Sequence, residues 1–267
     1  MGRVVGLFWR GRTTRRPCKL TTAFGVTCRT TSEGSHLARI NCAPLHHPVE
    51  VHPSLGKLLT LARRINTLTD GVFDPCLPTQ PGRLSDIEVS DTETLVICHA
   101  PVALDFGGFA KGYAVDCAIE ALMAAGCTAG LVNAGGDMRV FGSREEPVFV
   151  RGSAGELIDI ELADAALAVS DVSAQQRPGE HQGYYERGRD TAAQANQNAA
   201  IRAPTTSFGA TSPHVVAGPD TVAGPYAAVI ASTAMVADAL TKCVLLCESR
   251  VTERVLREFH AREAFRP

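Results

Sequence analysis

Two glycines followed three residues later by a lysine, where an apolar strand gives way to a helix, suit the binding of an anion. The segment Leu104-Asp105-Phe106-Gly107-Gly108-Phe109-Ala110-Lys111-Gly112-Tyr113 has this form. Glycine lets the backbone approach a ligand, and the free N–H groups of a first helical turn favour negative charge. Lys111 adds a full positive charge at the helix end that already carries partial positive charge. It costs stability there unless an anion offsets it. Gly107, Gly108, Ala110, Lys111 and Gly112 are therefore candidate contacts to a phosphate. A tight turn with a solvated lysine is the plainer alternative. The segment is neither G-x-x-x-x-G-K-[ST] nor G-x-G-x-x-G, so neither a Walker A loop nor a Rossmann site is supported.

Asn133-Ala134-Gly135-Gly136-Asp137 repeats the theme, with a strand running into paired glycines and an acid behind them. A flat ring or a metal-linked phosphate could approach such a backbone; a β-turn or bulge explains it equally. Further on, Asp238 lies in an otherwise apolar helical stretch, with Thr241 and Lys242 at i+3 and i+4 on its own face. Carboxylate and hydroxyl oxygens suit a hard cation such as Mg²⁺. The same face also permits a simple Asp238–Lys242 ion pair. Asp70-Gly71-Val72-Phe73-Asp74-Pro75 is turn chemistry, and His214, between Pro213 and Val215, is a single histidine. No G-x-S-x-G, H-E-x-x-H or EF-hand pattern occurs.

These segments need elements to hold them. A helix is predicted from Ser54 as its cap, with Leu55, Leu58, Leu59, Ala62 and Ile65 as one apolar stripe. Asp70-Gly71 breaks it. Strands are expected at 94–98, 101–105, 131–133, 138–141, 147–151, 157–161, 166–170 and 226–231. Helices are expected at about 110–125, 233–247 and 251–263. Strands and helices mix without regular βαβ alternation, which favours an α+β fold over a doubly wound one.

The chain has 267 residues, 45% of them apolar and 20% charged, as a globular core requires. A formal charge of −2 argues against nucleic acid as the main partner. No apolar run approaches the ~18 residues of a membrane span. The nine cysteines show no C-x-x-C spacing, and they read as scattered buried thiols in a reducing compartment. Residues 1–34 are expected to be a poorly ordered basic arm: the first 32 carry seven basic residues and no acidic one, without helical or strand periodicity. Residues 171–211, dominated by small and polar types, read as a long loop within a domain spanning 35–267. With no convincing signal sequence, the chain as written is expected in the cytoplasm.

In this order, the segments resemble the ApbE family of FAD:protein FMN transferases. The resemblance rests on Ser35-His-Leu-Ala-Arg-Ile-Asn41, similar to the family's S-x-L-S-R-L-N, on Thr69-Asp-Gly-Val-Phe-Asp-Pro75, Asp105-Phe-Gly-Gly-Phe-Ala-Lys-Gly-Tyr113 and Val132-Asn-Ala-Gly-Gly-Asp137, and on Met235-Val-Ala-Asp-Ala-Leu240. It implies an α+β fold of two related subdomains with mixed sheets. It also implies Mg²⁺-dependent transfer of the FMN moiety of FAD to a Thr or Ser hydroxyl of a target flavoprotein, with release of AMP. By resemblance, Asp238 and a backbone carbonyl of the Gly107–Lys111 loop, set at Gly108, hold magnesium. The glycine loops, including Asn133, Gly135, Gly136 and Asp137, hold the flavin nucleotide. Relatives are often periplasmic or lipid-anchored.

The chain departs from the family at named places. Lys242 stands where the family commonly has a metal-binding Thr. An ammonium cannot ligate Mg²⁺, so Thr241 or water would complete the shell. The H-[IV]-x-D-P element appears as His214-Val-Val-Ala-Gly-Pro219, with its Asp missing. The catalytic set expected is Lys111 and Mg²⁺ at Asp238 offsetting charge on the diphosphate, with His214 as general base. A non-catalytic FAD-binding protein and a Mg²⁺-dependent FAD pyrophosphatase are the alternatives.

Overall fold

The computed structural model describes residues 8–10, 35–151, 156–171 and 226–265. His214 and nearly all of the polar stretch 171–211 lie outside them. The elements are β1 (Phe8–Arg10), α1 (His36–Asn41), β2 (Pro48–Glu50), α2 (Pro53–Leu68), β3 (Ile87–Val89), β4 (Leu95–Cys98), α3 (Ala110–Ala124), β5 (Gly130–Ala134), β6 (Asp137–Phe141), β7 (Glu145–Arg151), β8 (Leu157–Ala163), β9 (Ala166–Asp171), β10 (Tyr226–Ala231), α4 (Ala234–Leu246), α5 (Ser249–Glu258) and β11 (Arg262–Glu263). One sheet runs β1-β5-β6-β9-β10-β11, a second β2-β4-β3, and β7 pairs with β8. Neighbouring strands in the main sheet pair antiparallel. The fold is α+β, as the sequence indicates.

The main sheet is covered on both faces. Helices α3 and α4 pack on one face through Val115, Ile119, Ala234 and Ala237 against Val132, Phe141, Ala166 and Ala231. The β7–β8 hairpin closes the other through Val148, Val150 and Leu162 against Met138, Val140, Leu167 and Ile230. Burial on both faces explains why β10 reads Tyr-Ala-Ala-Val-Ile-Ala without alternation. A separate core joins α2 and the three-stranded sheet to Phe106, Phe109, Leu240, Cys243 and Val255. Helix α4 thus faces both cores, and its buried polar residues lie between them. Five described cysteines are buried free thiols. No helix among the described residues is long and apolar enough to cross a membrane.

Residues 8–10, within the predicted arm, pair with β5 at the edge of the main sheet, Trp9 opposite Val132. Two expectations are corrected. Helix α2 begins at Pro53, not after a Ser54 cap. Proline tolerates the first helical position because it has no N–H to leave unpaired. His52 is the cap, its Nδ1 accepting from the Ser54 N–H at 3.2 Å. Residues 101–105 do not form a strand. Leu104 makes one bridge to Cys76, and its backbone is otherwise held by the Asn41 side chain. Asn41 Oδ1 accepts from Leu104 N–H at 2.8 Å, and its Nδ2 donates to Leu104 O at 3.0 Å. The amide stands in for a neighbouring strand and fixes the approach to the first glycine segment.

Candidate active site

Side chains distant in sequence hold the Gly107–Lys111 turn. Phe106 and Phe109 meet edge to face at 5.0 Å, and Phe73 closes on Phe109 at 5.6 Å. Phe73 is placed by the turn before it: Asp70 and Gly71 take positive φ, and Thr69 Oγ1 accepts from Phe73 N–H at 3.0 Å. The Thr69–Pro75 segment therefore acts on the site by packing.

The loop amides expected to face a ligand are in part turned onto the protein. Gly107 N–H donates to Asp105 Oδ1 at 2.7 Å, Ala110 N–H to Phe106 O at 2.8 Å, and Gly112 N–H to Asp238 Oδ2 at 3.0 Å. The anion at the start of α3 is the Asp238 carboxylate of the chain itself. Gly112 is where α3 crosses α4. A Cβ there would fall onto the Ala234 carbonyl oxygen and lie 2.8 Å from Asp238 Cβ. Gly112→Ala should accordingly force the helices apart and lower stability by about 1–3 kcal/mol, measured by urea denaturation. A stability equal to wild type would mean the crossing is looser than described.

The second glycine segment is a two-residue hairpin loop. Gly135 and Gly136 take φ of +68° and +105°, the mirror-image turn that matches strand twist and that glycine adopts without strain. Asn133 Oδ1 accepts from Gly136 N–H at 3.1 Å. No described atom lies within 4 Å of a Cβ placed at Gly135 or Gly136, so this backbone is open to a flat group. The hairpin carries Asp137 to Lys111, and the two form an ion pair. Lys111 is thus neither solvated alone nor free of an anion; its side chain is 41% exposed, whereas that of Asp137 is fully buried. Burial pushes the Asp137 carboxyl up to about 6, the charge of Asp238 adds to the rise, and Lys111 opposes it. Asp137 Oδ1 is buried and accepts no hydrogen bond among the described residues, so a ligand donor would satisfy it.

Behind this pair lies a second. Asp238 is fully buried and pairs with Lys242, whose side chain is 7% exposed. The Lys242 ammonium also reaches Asp238 O at 2.9 Å, Ser170 Oγ at 3.1 Å and Thr241 Oγ1 at 3.1 Å. Thr241 donates to Asp238 O at 2.7 Å, and Ser170 Oγ lies 2.7 Å from Thr241 Oγ1. Ser170, contributed by β9, was not legible as a site residue because nothing in its surroundings sets it apart. Nor was Asp116. From α3 it accepts from Ala234 N–H at 3.0 Å, Met235 N–H at 2.9 Å and Arg139 Nη1 at 2.8 Å. With Thr233 as cap, it satisfies the first N–H groups of α4 and fixes the helix that bears Asp238.

The cluster therefore unites Lys111, Asp137, Asp238, Thr241 and Lys242 with Ser170. Two cations alternate with two anions, and the most exposed charge is the positive one. A cavity of about 210 Å³ is lined by Leu131, Asn133, Met138 and residues 146–149, none of them a member of the cluster.

The magnesium set implied by resemblance is Asp238, Thr241 and Gly108. Asp238 Oδ1 already faces the Lys242 ammonium and Oδ2 the Gly112 N–H. Thr241 gives its proton to Asp238 O, and its lone pairs face Ser170 and Lys242. A Cβ at Gly108 would lie 3.6 Å from Lys242 Cε, so the lysine stem runs beside the third implied ligand. Among the described residues, no group of three or more His, Cys, Asp or Glu could hold a metal ion. These residues do not fit a divalent cation in this arrangement.

Comparison with known proteins bears on the fold and on part of the sequence. Residues 78–174 match the model of the ApbE family, a span that takes in both glycine segments and Ser170 but stops before Asp238. The FAD:protein FMN transferase of Rhodobacter capsulatus is 28% identical over 174 residues, 52% of this chain and 31% of that protein; the match spans under a third of the relative's length. The apo flavinyl transferase ApbE of Pseudomonas stutzeri superposes with a TM-score of 0.67 at 16% identity, over 99% of this chain and 92% of that one. The ApbE protein of Thermotoga maritima gives 0.63 at 22% identity, over 90% and 80%. The chain has the fold of these ApbE proteins, and residues 78–174 carry the match to the family's model.

Proposed function

We propose that this chain is a FAD:protein FMN transferase, moving the FMN moiety of FAD to a Thr or Ser hydroxyl of a target flavoprotein and releasing AMP. One observation carries the reading: the fold brings Lys111, Asp137 and Asp238 together from three segments, beside a glycine hairpin open to a flat ring. The name of the R. capsulatus relative supports FAD as donor and a protein as acceptor.

The acceptor hydroxyl oxygen bonds to the FMN phosphorus, the bond from that phosphorus to the bridging oxygen breaks, and AMP leaves with that oxygen. The hydroxyl proton passes to a general base, a role we assign to His214. Such transfer depends chiefly on positioning and charge neutralisation. Lys111, at the exposed edge of the cluster, meets the diphosphate; Gly135 and Gly136 offer the ring a bare backbone; Asp137 Oδ1 takes a donor from the ligand. Asp238 and Thr241 are already engaged with Lys242 and the Gly112 N–H, so the neutralising charges are those of Lys111 and Lys242.

Lys111→Ala should weaken FAD binding by about 1.5–3 kcal/mol, roughly ten- to a hundredfold, through loss of a charge-assisted contact. Fluorescence quenching titrations measure it. An unchanged affinity would remove Lys111 from the ligand site. The reading as a whole is tested by co-expression with a candidate flavoprotein and mass spectrometry of that target. A mass increase equal to FMN less one water, on a Thr or Ser, is expected; release of free FMN and AMP would mark a pyrophosphatase instead.

A further inference from the structure

Lys242 is a cation already installed at the carboxylate that a divalent ion would need. Its ammonium has three protons to give and four oxygens in range: Asp238 Oδ1, Asp238 O, Ser170 Oγ and Thr241 Oγ1. Lysine is a compact point charge that takes oxygen acceptors from several directions, as a hard cation does. The acceptors converge on it from two elements, with Asp238 and Thr241 on α4 and Ser170 on β9. Gly112 N–H holds the far carboxylate oxygen, so Asp238 cannot swing away without losing that bond. The lysine stem passes beside Gly108, in the turn that leads to Lys111. A second positive ion at Asp238 would meet this ammonium at close range in a buried setting, where repulsion is poorly screened.

We propose that the Lys242 ammonium takes the place of a divalent cation in this chain, so that flavin dinucleotide binding needs no divalent metal. The proposal rests on the FAD reading above for its ligand, and on the Lys242 environment alone for its cation. Lys242 is a positioning residue here: it neutralises Asp238 and keeps the α3–α4 junction, and with it Lys111, in place for the diphosphate.

The test uses the full chain, wild type and Lys242→Thr, with FAD and Mn²⁺ as probes. Wild type should bind FAD equally well in EDTA and in excess Mg²⁺. Lys242→Thr should lose about tenfold or more in EDTA, recover with Mg²⁺, and bind one more equivalent of Mn²⁺ than wild type by electron paramagnetic resonance. A wild-type affinity that falls tenfold in EDTA overturns the proposal, as does equal Mn²⁺ stoichiometry in two folded proteins. If Lys242→Thr does not fold, the EDTA titration of wild type decides alone. If FAD binds in neither buffer, the functional reading fails, and the Mn²⁺ stoichiometry still decides the cation question.

Discussion

Asp238→Asn should destabilise the chain by about 3–5 kcal/mol, because it leaves the Lys242 ammonium buried without a counter-charge. Seen on the sequence, the pair is an i, i+4 contact on a helix, worth only ~0.3–0.5 kcal/mol when exposed. Its burial between two cores changes the magnitude: side-chain exposures of 0% and 7% leave little water to solvate either charge. Adding Lys242→Met to Asp238→Asn should recover most of the loss. It removes the second charge, while the introduced amide keeps a carbonyl acceptor for the Gly112 N–H. Urea denaturation of the two single variants and the double variant reads the coupling directly. A single variant within about 0.5 kcal/mol of wild type, the range of ordinary surface substitutions, would contradict the buried pair.

The other large effect belongs to Asp116, a buried residue of α3. Asp116→Ala removes the acceptor for two backbone N–H groups at the start of α4 and the partner of Arg139. Buried donors left unpaired cost about 1–3 kcal/mol each, more when charged, so the loss should reach about 3–5 kcal/mol. Asp116→Asn, which keeps one carbonyl oxygen for the amides, should fall between. Both variants should also weaken FAD binding, because α4 carries Asp238 and Lys242. Denaturation midpoints and FAD titrations on the folded fraction measure the two effects. A fully stable Asp116→Ala protein would show that Thr233 alone suffices to start the helix.

Much of the site was legible because its parts are local. Gly135-Gly136 between two strands announces a tight hairpin, and Gly107 to Lys111 announces a strand-to-helix turn. The stripe from Leu55 to Ile65 is buried throughout. What the sequence concealed depends on contacts between distant segments. Asn41 substitutes for a strand at Leu104, and no local pattern encodes a pairing 63 residues apart. Asp116 serves a helix 118 residues later. Ser170 is one hydroxyl in an apolar strand. Lys242 stood out by type, but its role turns on burial, which a helical stretch with apolar residues on most sides does not reveal. The loop amides reversed expectation for a related reason: the anion that α3 accepts comes from Asp238, over a hundred residues away.

The proposed transferase activity requires that FAD is cleaved by transfer to a hydroxyl and not by water. The most direct measurement incubates the purified full chain with FAD and a candidate flavoprotein domain. AMP, FMN and FAD are quantified by chromatography, and flavin fluorescence is read on the denatured target. Transfer predicts AMP in step with flavin that stays on the target polypeptide, and no accumulation of free FMN. Equal amounts of free FMN and AMP, or FAD held intact with neither product, would contradict it.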